Sequence, residues 1–171
     1  MQPVPPMKTG SNAIDLLKRQ HAEVRDLFTQ IEEESDDDEK LELVQELADV
    51  LNAHAAIEEK LFYPVAYANV SEDMHEEAVD DHRAIRRLVA ELCDMSPDDD
   101  DFEEKLDVLR AQVEEHVKEE ESEIFPAVRQ SVKAPELKQL GEEMQQLFAQ
   151  ELKGVPSVRV PSPPAHQPAL R

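Results

Sequence analysis

Four stretches of this chain repeat apolar residues at alternating three- and four-residue spacing. In each, a histidine stands where such a stripe calls for Leu or Ile. The first carries Ile14, Leu17, His21, Val24, Phe28 and Ile31, with Ser11 or Asn12 placed to cap it. The second, over about residues 40–68, carries Leu47, Leu51, His54, Glu58, Leu61 and Val65. The third carries His75, Ala78, His82, Ile85, Val89 and Leu92 and stops at Ser96-Pro97; Ser71 is a plausible cap for it. The fourth carries Phe102, Leu106, Leu109, Val113, His116, Glu120 and then Ile124 or Glu123. Four long amphipathic helices joined by short loops predict an all-α protein, an up-down-up-down four-helix bundle. A further segment, opened by Pro135 as a first-turn proline, runs through Leu137, Leu140, Met144 and Leu147 to about Leu152 and predicts an additional C-terminal helix. The acidic runs Glu32–Glu39 and Asp98–Asp101 read as solvated loops.

The ends differ in composition. Eight of the twelve prolines lie in them, so residues 1–10 and 154–171 are expected to be disordered tails. The bundle is assigned to residues 11–130 and the additional helix to 131–153. Only three glycines are present, which argues against an all-β fold with many tight turns and against a Gly-rich phosphate loop.

The stripes are also duplicated. His21 and His82 are 61 residues apart, and His54 and His116 are 62 apart. His54-x-x-x-Glu58-Glu59 is followed by Phe62 and Pro64; His116-x-x-x-Glu120-Glu121 is followed by Phe125 and Pro126. Residues four apart on a helix stack on one face with about 5–6 Å between Cβ atoms, so an imidazole and a carboxylate can reach one point on the bundle axis. A glutamate on a core face is costly unless it is paired, neutralised or coordinated. Two such glutamates, each one turn past a histidine, point to coordination. The mirrored arrangement assigns His21 and His54 to one metal, His82 and His116 to a second, and Glu58 and Glu120 to bridges between them. Imidazole suits iron, zinc or copper, and carboxylates offset the charge of two neighbouring cations.

Other residues carry weaker signals. His75 lies two turns before His82 on the same stripe, where it supplies a further nitrogen or hydrogen bond, or else sits half exposed at the helix start. His166 falls in the proline-rich tail and reads as solvated. Glu59 and Glu121 lie roughly 100° around the helix from the bridging positions, which suits solvent exposure or support of a ligand. Tyr63 and Tyr67 can donate a hydrogen bond or an electron near the site, or simply pack at the surface. Cys93 reads as a small buried apolar residue. Pro64 and Pro126 are expected to bend or end their helices beyond the site.

The charge excludes whole classes of partner. With 18 Lys+Arg against 40 Asp+Glu the formal net charge is −22, which argues against nucleic acid and against anionic membrane surfaces. One cysteine excludes an internal disulfide framework and a multi-thiolate zinc site. No apolar run approaches spanning length, and the N-terminus lacks a charged region followed by an apolar one, so a cytoplasmic protein is expected.

Over roughly residues 12–130 the pattern His21, His54-x-x-x-Glu58, His82, His116-x-x-x-Glu120, with Leu-Phe-Tyr-Pro and Ile-Phe-Pro after the paired motifs, resembles the hemerythrin-like, or HHE cation-binding, family. The resemblance implies a four-helix bundle holding two iron ions in a non-haem centre bridged by oxo or hydroxo and by carboxylate. It also implies binding or reduction of a small ligand such as dioxygen, peroxide or nitric oxide; the alternative is an iron, oxygen or redox sensor, or an iron-binding protein, without turnover. Two departures narrow this. Oxygen carriers of the family have a histidine four residues before the one matched by His82, where this chain has Ala78. Their final carboxylate is an Asp five residues past the last paired histidine, where this chain has Glu120 at four and Glu121 at five. Ala78 is expected to leave a coordination place to water or to an exogenous ligand. That disfavours plain oxygen carriage and favours peroxide decomposition, sensing or iron handling.

Overall fold

The computed structural model describes residues 12–68 and 72–154, with side chains in the second stretch from residue 76 onward. The expected tails at 1–10 and 154–171, apart from Gly154, which ends the last helix, lie outside the described residues, as does the expected cap Ser71. The helices are α1 (Ala13–Glu33), α2 (Asp37–Ile57), α3 (Tyr63–Ala66), α4 (Glu72–Cys93), α5 (Phe102–Glu119), α6 (Phe125–Ser131) and α7 (Ala134–Gly154). Single π-helical turns, Glu58–Phe62 and Glu120–Ile124, join α2 to α3 and α5 to α6. Among the described residues there is no strand, and no helix is long and apolar enough to cross a membrane. Helix α1 packs on α2, α2 on α4 and α4 on α5, which gives the four-helix bundle; α7 adds to it against α1 and α2.

Local chemistry sets the helix starts. Asn12 and Asp15 form a reciprocal capping box at the head of α1. The Asp36 carboxylate accepts from the Asp38 and Glu39 amides, so α2 begins at Asp37. The acidic run expected to be a loop is therefore mostly helical. Asp37, Asp38 and Glu39 occupy a first turn, where negative charge is favoured by the helix dipole, and only residues 34–36 lie outside helices.

The apolar stripes bury as their spacing requires. Ile14, Leu17, Val24, Phe28 and Ile31 of α1 are buried, as are Leu47 and Leu51 of α2, Ala78, Ile85, Val89 and Leu92 of α4, and Phe102, Leu106, Leu109 and Val113 of α5. Each large side chain so placed contributes roughly 1.5–3 kcal/mol. The stripe through α2 was expected to continue through Leu61 and Val65. Those two are only partly buried; Phe62 is buried, and with it Tyr63 and Ala66. The π turn inserts an extra residue per turn and advances the inward face by about one position. The other half does the same, burying Ile124, Phe125 and Val128 past Glu120.

The prolines behave differently from the expected bend or stop. Pro64 and Pro126 each lie in the first turn of the short helix that follows a π turn. There the chain has already switched to wider hydrogen bonding: the Tyr63 amide donates to the Glu58 carbonyl and the Phe125 amide to the Glu120 carbonyl. The missing proline N–H therefore falls where the α-helical ladder is already interrupted.

Helix α7 is seated by a close approach. A Cβ on Gly141 would meet the Ala13 amide nitrogen at 2.7 Å and the Asn12 carbonyl carbon at 2.8 Å. Only glycine lets α7 rest on the start of α1, and Leu137, Leu140, Met144 and Phe148 fill the seam.

Candidate metal centre

All six residues expected to hold metal are buried, and the bundle brings them together. Glu58 and Glu120 have no exposed surface, and the four histidines are between 2% and 5% exposed. His54 Nε2 lies 3.2 Å from Glu58 Oε1 and His82 Nε2 lies 3.2 Å from Glu58 Oε2, so one carboxylate faces an imidazole from each half. Glu120 Oε2 stands 3.2 Å from His21 Nε2 and 3.7 Å from His116 Nε2. His82 and His116 approach at 3.1 Å between Nε2 atoms. Two overlapping donor groups result, His21, His54, Glu58 and Glu120 in one and Glu58, His82 and His116 in the other, each with its donor atoms within 4.8 Å of one another.

Both glutamates open a π turn. Widening the helix at Glu58 and at Glu120 turns the next residue, Glu59 or Glu121, toward the opposite half. Glu59 Oε1 lies 2.9 Å from His82 Nδ1, and Glu121 Oε1 lies 2.9 Å from His21 Nδ1. The remaining imidazoles are held from the residues that immediately precede His21 and His82: Gln20 Oε1 lies 2.8 Å from His54 Nδ1, and Asp81 Oδ2 lies 3.5 Å from His116 Nδ1. Each ring therefore has an acceptor at Nδ1, the arrangement that fixes a tautomer with its Nε2 lone pair directed at a cation.

Aromatic rings close the site. Tyr63 lies over His82 with centroids 5.6 Å apart, and Phe125 lies over His21 at 5.8 Å. The Tyr63 hydroxyl donates to Glu120 Oε1 at 3.0 Å and lies 3.4 Å from His82 Nε2. The phenol thus stands beside the donors on the His82 side. Ala78 is buried. The side chain of His75, in the first turn of α4, lies outside the described residues.

The electrostatics report how tightly these groups are coupled. Burial pushes the Glu58 carboxyl up, yet the His54 and His82 imidazoles outweigh it and hold the group well below the usual range. Burial lowers His82, but Glu58 and Glu59 raise it further, to about 9. His21 and His116 are also raised, against the pull of burial, chiefly by Glu120. Hydrogen bonding to His82 and Arg86 offsets the burial of Glu59 and brings it to about 2. Burial, reinforced by the Glu120 and Glu58 charges, keeps the Tyr63 phenol protonated well above its ordinary range.

Protons alone satisfy this cluster poorly. His21 Nε2, His54 Nε2, both Glu58 oxygens and Glu120 Oε2 are buried without a hydrogen-bond partner although imidazole and carboxylate stand at contact distance. Unpartnered buried polar atoms converging on a common space are what a cation would satisfy. Four imidazole nitrogens and two carboxylates fit a pair of first-row ions. Beside the donors lies a cavity of about 20 Å3, lined by the four histidines, Arg86 and the apolar Val24, Leu51, Ala55, Ile85, Val113 and Val117. It has room for about one water-sized molecule.

Sequence reasoning did not find the Nδ1 acceptors Gln20 and Asp81 or the cavity residue Arg86. Their signal is positional: Gln20 and Asp81 directly precede His21 and His82, and Arg86 follows His82 by one turn, as Arg25 follows His21.

Comparison with known proteins places the chain. A family model described as the hemerythrin HHE cation-binding domain matches residues 12–128. An uncharacterized protein of Mycobacterium tuberculosis is 30% identical over 147 residues, covering 85% of this chain and 89% of that protein. A protein of Nostoc sp. named DNA nickase is 28% identical over 132 residues; the match takes in 77% of this chain but only 38% of the nickase. Among solved structures, a hemerythrin HHE cation-binding domain-containing protein from Mycobacterium kansasii superposes with a TM-score of 0.75 at 27% identity, over 84% of this chain and 88% of that one.

Proposed function

The chain belongs to the hemerythrin HHE cation-binding family, and from that premise we propose that it holds two iron ions and binds or reduces a small oxidant, peroxide foremost. In this reading His21 and His54 hold one iron, His82 and His116 the other, and Glu58 and Glu120 bridge them. The observation that carries it is the convergence of buried imidazole nitrogens and carboxylate oxygens without hydrogen-bond partners. When bound, the metal pair supplies Lewis acidity and two-electron redox capacity.

The chain's own residues do the rest. Glu121, Gln20, Glu59 and Asp81 orient the four rings through Nδ1. The apolar cavity wall leaves room for about one water-sized ligand beside the donors. Arg86, the cationic group in that lining, favours a small anion such as azide or hydroperoxide. Tyr63 supplies a phenolic proton at Glu120 Oε1.

Metal analysis with a visible spectrum, before and after azide or peroxide, tests the reading. Near two irons per chain, absorption bands that shift with azide, and steady loss of peroxide support a peroxide-decomposing enzyme. The same iron and bands without turnover favour a sensor or iron-binding role. A colourless, metal-free and still helical protein would falsify it.

Two further elements are proposed with it: a cytoplasmic working place, in keeping with a single cysteine, and the absence of a nucleic-acid role, supported by the net charge of −22. The nickase likeness makes the latter worth testing directly. Incubation with supercoiled plasmid at low salt is expected to give neither nicks nor retarded complexes.

A further inference from the structure

A cavity of about 20 Å3, with room for about one water-sized molecule, leaves no place for an organic reductant beside the donors. Peroxide reduction driven by any reductant other than a second peroxide therefore needs electrons that arrive through the protein. The chain has no tryptophan and two tyrosines, Tyr63 and Tyr67, and both stand in a row leading out of the site. The Tyr63 hydroxyl donates to Glu120 Oε1 at 3.0 Å. Its ring lies 5.1 Å from that of Tyr67, which is partly exposed. The other half has no such row: the positions nine and thirteen past His116 are Phe125 and Arg129, where those past His54 are Tyr63 and Tyr67.

We infer that Tyr63 and Tyr67 form a one-sided electron path between the metal centre and one-electron reductants in solution. The inference rests on the di-iron reading above. Its balance is closed: one hydrogen peroxide and two tyrosines give two waters and two tyrosyl radicals. The O–O bond breaks, and each phenol loses one electron and one proton. Tyr63 gives its electron toward the centre and passes its proton along the hydrogen bond to Glu120 Oε1, from which it joins the departing oxygen. Tyr67, partly exposed although its hydroxyl oxygen is buried, then restores Tyr63 by transfer of one electron and one proton. Its own radical takes one electron and one proton in turn from a one-electron donor in solution such as a small thiol or an enediol. Without that second tyrosine the oxidising equivalent stays on Tyr63, beyond the reach of reductants too large for the cavity.

The test is freeze-quench electron paramagnetic resonance on the iron-loaded full chain mixed with hydrogen peroxide, with iron content and peroxide consumption measured on the same sample. The expected result is a tyrosyl signal that narrows when ring-deuterated tyrosine is incorporated and that ascorbate removes. Tyr67→Phe is expected to leave a signal of altered hyperfine pattern that ascorbate no longer removes quickly. Tyr63→Phe is expected to lose the signal while iron is retained. Peroxide consumed with no tyrosyl signal overturns the path, as does a Tyr67→Phe signal identical to wild type in pattern and quenching. Iron-loaded protein inert to peroxide overturns the path and leaves the metal site standing; protein that takes up no iron overturns both.

Discussion

The His21/His54 half and the His82/His116 half offer the same donors in the same order, yet their surroundings have diverged. The two imidazoles meet edge to face in each, with centroids 5.0 Å apart in the first half and 4.7 Å in the second. Around the first half lie Gln20, Glu121 and the hydroxyl-free Phe125. Around the second lie Asp81, Glu59 and Tyr63. Arginines one turn past His21 and His82 also differ. Arg86 bonds Glu59 at 2.9 Å, so the carboxylate holding His82 shares its charge with a cation. Arg25 instead grips Glu114 through its Nε and Nη2 and does not bond Glu121. Helix α7, moreover, packs on α1, α2 and the first π turn. The two halves share the proposed metal donors and differ one layer out, which would give two chemically like donor sets unlike tuning.

The comparison breaks most completely if the donors are not shared between halves. His54→Ala or Glu58→Ala is expected to abolish dinuclear loading, because Glu58 faces an imidazole from each half. Iron stoichiometry by elemental analysis checks this, and two irons retained in both variants would refute the ligand assignment.

Next in size is the pH response of the metal-free protein. His82 is raised from 6.5 to about 9, so the stability it contributes is fully present below 6.5 and is lost as pH rises through about 9, a change on the order of 3 kcal/mol. Metal requires the neutral ring, so iron affinity moves the other way over the same window. Thermal melts and iron titrations between pH 6 and 10 should therefore run in opposite directions; melts that rise with pH contradict the His82 environment.

The Nδ1 acceptors come third. Glu121→Gln and Glu59→Gln are each expected to weaken metal retention by about 10–100-fold. The larger loss belongs to Glu121, which Arg25 influences only through space while it bonds Glu114, whereas Arg86 bonds Glu59 directly. Competition with a chelator measures both, and equal losses would remove the arginine asymmetry from the account. Smallest at the centre is Gly141→Ala, which forces α7 off α1 and is expected to cost about 1–3 kcal/mol with iron stoichiometry unchanged. Chemical denaturation reads the first quantity and metal analysis the second.

Much of this was legible in the residues themselves. Stripes at three- and four-residue spacing located the helices, and a histidine followed one turn later by a glutamate on an apolar face marked the donors, because burial makes that combination costly without a cation. The π turns were not legible. Wider hydrogen bonding has no residue signature of its own, and Pro64 and Pro126 read as bends when they mark where the wider turn ends. That is why the stripe was expected to run inside through Leu61 and Val65, and Tyr63 and Ala66 took their place. The Nδ1 acceptors Gln20 and Asp81 escaped notice because each holds a histidine on another helix, a contact that exists only once the bundle is packed. The acidic run at 36–39 misled for a local reason: the same carboxylates that favour a solvated loop also cap and begin a helix.

The central claim is a dinuclear centre built from two unlike halves, and Mössbauer spectroscopy of the protein loaded with 57Fe tests it most directly. The account predicts two irons per chain, coupled to each other, giving two quadrupole doublets of equal area and distinct splitting. A single uncoupled doublet at one iron per chain or fewer would contradict it.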